Sequence, residues 1–375
     1  MNKHQSFWKI TSLIAAGGTV LSMFGSPAMA DDSAPRGRAI AYAFTTIYWS
    51  MYETKDAKEE CPAGLNTMGP REQFKALYVD DGVKRKLADA QLKSESEIWW
   101  PDTKPEPYPI PAAVGKIAPG LNLDGKVKPT DFTSPDGRQG VDNQMFRVLG
   151  CIKNYRTGGP LWNYDTEYFK DKFPARILIE LTDVDSLVND NDVTLTTYRG
   201  LDPLVPDATG AAFQPGFTER LDLRYGKVFI HKAKAKIVNG VLTTENMDFV
   251  YPNHSGIEQR MRDARFEVKL TPDKAEGLIG GYADVEDFYS TRNRVYATHF
   301  EAYGQQAQAS VYKALRKFAD AYPDPKTGEN TAISGSYTVK LVRVKLLRPD
   351  QQISELSTSS PTQVADSKNS KAAAK

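Results

Sequence analysis

Asn122, Asp124, Gly125 and Asp131 stand at the third, fifth, sixth and twelfth places of a loop beginning at Gly120. Those are the places where a calcium loop of the EF-hand type alternates oxygen ligands, turns on a glycine and ends on a carboxylate. Asp142 stands close enough in sequence to complete the set, so the chemistry these residues suggest is coordination of calcium by hard oxygen ligands. The match is incomplete. Gly120 occupies the first place, where a carboxylate is expected, the last ligand is the shorter Asp131, and Pro129 opposes a helix running into it. The same segment nearly spells a phosphate loop, but Val127 replaces the required Ser or Thr, which removes that reading.

A second group of carboxylates, Asp183, Asp185, Asp190 and Asp192, gathers between two strand-like runs but lacks the glycine and the spacing of a calcium loop, so it reads first as a solvated turn. Beyond the first 30 residues stand three histidines, His231, His254 and His299, in or next to strand-like segments. Imidazoles brought together by a fold suit zinc or copper, but nothing in their spacing pairs them. No G-x-S-x-G elbow, H-E-x-x-H pair, complete phosphate loop or dinucleotide fingerprint occurs, and no catalytic residue is assigned. Trp99, Trp100, Trp162 and Tyr164 are aromatic faces on which sugar rings can stack. Cys61 and Cys151 are the only cysteines, which in an exported chain predicts one disulfide.

The elements that must position these groups are mostly strands. Residues 38–53 alternate Ile40, Tyr42 and Phe44 with smaller residues and read as a long central strand. Pro135, Asp136, Gly137 and Gly140 are turn formers, after which Asp142 is placed to cap a helix carrying Met145, Phe146, Leu149 and Ile152 inward. On this simpler reading residues 120–151 are scaffold. Asn239-Gly240 predicts a type I′ hairpin, with Lys232, Lys234 and Lys236 on the wet face and Ala233, Ala235 and Ile237 on the other. Two helices are expected within 69–92, a proline-rich covering loop at 99–111, and a helix over 309–322 stopped by Pro323. The change of apolar phase from Leu341 to Val342 predicts a bulge or a crossing between sheets in the last strand.

Lys3 and Lys9, the apolar run from Ile10 to Phe24 and Ala28-Met29-Ala30 form a signal peptide pattern with cleavage after Ala30, which predicts a periplasmic or secreted protein. Losing those two lysines leaves 46 basic residues against 47 acidic ones, a net charge of −1, which gives no support for nucleic-acid binding. No later stretch approaches a membrane span. The expected architecture is mainly β, an antiparallel β-sandwich or jelly-roll-like domain over 31–349. Peripheral helices, a long disulfide-closed insertion over 54–174 and a disordered tail at 350–375 complete it. The expected function is a binding module, stabilised by calcium, for a glycan or another envelope or extracellular component. A secreted carbohydrate- or ester-active enzyme and a structural envelope protein are the alternatives.

Overall fold

The computed structural model describes residues 38–66, 93–94, 97–98, 110–163, 166, 176–252, 258–291 and 308–348. The expected signal peptide, the helices expected within 69–92, Trp99, Trp100, Tyr164, His254, His299 and the expected tail fall outside the described residues.

The strands are β1 (Arg38–Trp49), β2 (Lys93–Ser94), β3 (Glu97–Ile98), β4 (Arg176–Val184), β5 (Asp190–Gly200), β6 (Phe217–Arg220) and β7 (Lys232–Val238). They continue as β8 (Val241–Thr244), β9 (Met247–Pro252), β10 (Glu258–Leu270), β11 (Lys274–Asp284), β12 (Ala321–Pro323) and β13 (Asn330–Leu347). Helices α1 (Gln144–Leu149) and α2 (Gln308–Phe318) complete the labelled elements. Eight strands, β1, β4, β5, β7, β8, β10, β11 and β13, pair antiparallel in chain order, and β13 pairs back onto β1 to close the ring.

That closure overturns the expected sandwich or jelly roll. The sheet is a β-barrel, because β1 and β13 hydrogen-bond from Ala41↔Val344 to Trp49↔Tyr337 instead of remaining as two edges. Alternation along each strand is the same in both architectures; only the first-to-last pairing separates them.

The inside is a packed core. Tyr42, Phe44, Ile179, Leu195, Ile237, Phe249, Phe266 and Val339 are all 0% exposed and belong to one cluster. Trp49 lies 4.1 Å, centroid to centroid, from Tyr337. α1 and α2 add Met145, Leu149, Val311 and Leu315 to this cluster and close one end. Gly335 permits the approach of α1, since a Cβ there would stand 2.8 Å from the Trp49 ring and 3.3 Å from Met145 Cβ. The outward row of β7 is polar: Lys232, Lys234 and Lys236 are exposed while Ala233, Ala235 and Ile237 are buried, as their alternation predicts. A lipid-embedded barrel has the opposite polarity. Among the described residues no helix is long and apolar enough to cross a membrane.

The β7–β8 turn is the expected one, with φ of +52° at Asn239 and +79° at Gly240. Cys61 and Cys151 are bonded, with Cα atoms 5.7 Å apart, as their number predicts. The bridge holds a small satellite core of Phe132, Val141 and Phe146 against the barrel. Beside it the buried Glu60 accepts a hydrogen bond from Arg156 at 2.5 Å. The phase change in β13 marks no bulge in β13 itself, whose pairing with β11 runs unbroken from Lys274↔Val342 to Asp284↔Ala332; a bulge does stand opposite Leu341 and Lys340, but in β1, where the register shifts between Phe44 and Thr46. Val342 and Val344 are apolar on the outer face because Leu204, Leu221 and Phe217, from the excursion between β5 and β7, cover them.

Candidate functional site

The oxygen-rich loop lies on the outer wall, where Leu121 and Leu123 pack against Tyr282 and Ala332, and Arg265 donates to the Asn122 carbonyl. Each expected ligand has a backbone partner. Asn122 Oδ1 accepts the Gly125 N–H at 2.7 Å, Asp124 Oδ1 the Lys126 N–H at 2.9 Å and Asp131 Oδ2 the Lys128 N–H at 2.6 Å. Asp142 does not cap α1. The N-cap is Asn143, without a side-chain cap bond, and the Gln144 N–H is taken by Ser334 Oγ at 3.0 Å. Asp142 Oδ2 instead reaches back to the Leu123 N–H at 2.7 Å and the Asp124 N–H at 3.3 Å.

The centre of this loop is Lys128, a cation with no place in a calcium-ligand pattern. Lys128 Nζ stands 2.6 Å from Asp124 Oδ2 and 3.8 Å from Asp142 Oδ1. Burial pushes the Asp142 carboxyl up to about 6 against the pull of the Leu123 N–H, with Asp124 and Asp131 adding to the rise. For Asp124 burial acts upward too, but the Lys128 ammonium and the Lys126 amide outweigh it and hold the group below its usual value. Asp142 Oδ1 is buried and accepts no hydrogen bond, and the cation it faces is the Lys128 ammonium. Calcium takes six to eight oxygens. The ammonium stands between two of the expected carboxylates, so calcium would bind here by displacing Lys128.

The second carboxylate group is a turn held by its own backbone. Asp190 accepts the N–H groups of Asp185, Ser186 and Asp192 at 2.7, 3.3 and 3.1 Å. Asp192 pairs with Lys234 at 2.6 Å, and Asp183 carries the bend at φ +63°. His231 Nε2 lies 3.0 Å from the Val228 carbonyl, and burial lowers its pKa.

Trp162 leads to a different site. Its ring meets Tyr48 edge-on at 6.4 Å, and both line a groove of about 670 Å³ on the outer wall. The pairing of β1, β13 and β11 sets the floor, with Tyr48 opposite Thr338, Thr46 opposite Lys340, Glu276 opposite Lys340 and Lys274 opposite Val342. One bank is the segment after the disulfide, with Thr157, Trp162 and Thr166. The other is the excursion between β5 and β6, with Ala211, Ala212 and Phe213. Glu53 ties the first bank to the end of β1 by accepting the Thr157 N–H at 2.9 Å. From Thr338 to Val342 the floor runs roughly 13 Å at the strand rise of about 3.3 Å per residue.

The outward phase of β13 was legible in the alternation of Thr338 and Lys340 with Val339 and Leu341. What no local signal carried was the neighbourhood, because β1 and β11 reach β13 only through barrel closure. Of the four aromatic residues expected to bind ligand, Trp162 is in this groove, and the other three lie outside the described residues. No protein-family model matches the chain, and no curated protein or solved structure does either.

Proposed function

We propose that the chain is an exported binding module that lays a linear glycan of the cell envelope or the surrounding medium into the outer-wall groove. The observation that carries this reading is the groove's composition: Trp162 and Tyr48 at one end, Phe213 at the other, and between them the hydroxyls of Thr45, Thr46 and Thr338 with Lys340 and Glu276. Sugar rings offer an apolar face to aromatic groups and hydroxyl edges to donors and acceptors of these kinds. The filled barrel interior favours the outer wall as the place for a ligand. Export is supported by the residues before Asp31 and agrees with a disulfide, a bond that persists in oxidising compartments.

Calcium enters the reading as a stabiliser of the loop from Asn122 to Asp142, in exchange for the Lys128 ammonium.

Calorimetric titration against a panel of neutral and acidic oligosaccharides tests the proposal. It predicts saturable binding by at least one linear member and a loss of about tenfold or more in Trp162→Ala, the weight of a buried aromatic contact. Binding that survives unchanged in both Trp162→Ala and Thr338→Val, or no binding across the panel, contradicts it.

A further inference from the structure

Resting on the groove reading, we infer that the glycan is acidic and sparsely charged, a uronic-acid type of chain whose carboxylates meet Lys340 and Lys274. Lys340 lies on the central strand, β13, with Thr46 on one side and Glu276 on the other, and Lys274 stands one outward position further along, opposite Val342. Both lysines are exposed. Among the described residues neither ammonium takes part in a salt bridge.

Elsewhere on the wall Lys234 is paired with Asp192 and Lys128 with Asp124, while Lys232 and Lys236 are exposed like the groove lysines but stand outside the groove. The groove therefore presents two cationic donors along a line that also offers hydroxyls and aromatic faces.

Glu276 limits the class of anion. Directly opposite Lys340, it repels a polymer with a charge on every few atoms, such as a polyphosphate, a nucleic acid or a densely sulfated glycan. Glu53, at the Trp162 end, adds a second negative charge to the lining. One carboxylate per sugar, spaced by neutral ring atoms, satisfies the lysines without crowding either glutamate. Lysine, a point charge with three donors, suits such a monovalent carboxylate.

The test compares four-residue oligomers of glucuronate, galacturonate and mannuronate, each against its own methyl ester, binding to the purified disulfide-intact protein. The ester keeps the ring and the hydroxyls and removes only the charge. The expected result is a preference for the acid of about tenfold, the weight of a charge-assisted hydrogen bond, which shrinks toward unity in Lys340→Met and in Lys274→Met. Melting curves of both variants establish that they fold.

Equal affinity for acid and ester, or binding of a neutral glycan with no uronate bound, overturns the acidic assignment and leaves the groove reading standing. Tighter binding of a densely sulfated polymer with a steep salt dependence also overturns it. Absence of binding by every saccharide removes the groove reading itself.

Discussion

Glu219, in β6, is fully buried, with Oε1 accepting the Asp202 N–H at 2.8 Å and Oε2 accepting no hydrogen bond. Burial pushes its pKa from 4.5 to about 8, against the Asp202 N–H; the Asp202 carboxylate adds to the rise and Arg176 opposes it. A carboxyl raised in this way holds its proton more tightly in the folded state than in the unfolded one. Its contribution is complete below pH 4.5 and is lost as the pH climbs toward 8. Glu219→Gln keeps the shape and removes the titration, so the variant should gain on the wild type steadily across that window. Parallel melting temperatures for the two proteins from pH 4.5 to 8 would refute the assignment. Lys128→Met should cost about 1–2 kcal/mol, because Asp124 and the buried Asp142 lose their cation while the lysine's own exposure limits the loss. If calcium takes the ammonium's place, the calcium-induced rise in melting temperature is larger in Lys128→Met than in the wild type. Equal shifts count against that loop as the ion's site.

Among the elements, the disulfide and the β7–β8 hairpin make the firmest predictions. Cys61 and Cys151 are 90 residues apart, and replacing both by Ser should lower stability by about 2–4 kcal/mol in denaturant titration. Saccharide affinity should fall with it, since Trp162 lies in the segment the bridge anchors. An unchanged midpoint and an unchanged affinity would mean that the bridge is idle. Gly240→Val forces a β-branched residue to φ +79° and should destabilise by about 1–3 kcal/mol, whereas Gly240→Asn should be milder. These two elements were legible because their causes are local: a dipeptide that accepts positive φ, a period of two in Lys232 to Val238, and an even count of cysteines. The start of α1 near residue 144 was also legible, but the role of Asp142 was not. Its carboxylate bonds to N–H groups 18 and 19 residues earlier, a contact set by the folded loop. The apolar phase change at Leu341 and Val342 was visible, and a bulge does stand there, but in the neighbouring β1; the mark on β13 itself comes from its covered outer face.

For the whole molecule, the difference between a sandwich and a barrel rests on β1 and β13, strands from opposite ends of the described chain. Their pairing closes the interior around Tyr42, Phe44 and Phe266 and at the same time brings Thr46 beside Lys340. Stability and the candidate site thus share one cause. The groove needs three pieces remote in sequence, namely the floor of β1, β13 and β11, the bank after the disulfide, and the excursion before β6. Hydrogen–deuterium exchange with and without a bound oligosaccharide tests this most directly. Slowed exchange is expected in residues 45–49, 157–163, 211–213, 274–276 and 338–342 alone, with the barrel core and the loop around Lys128 unaffected. Protection centred on the barrel end closed by α1 and α2, or on the loop from Asn122 to Asp131 with none along β13, would contradict it.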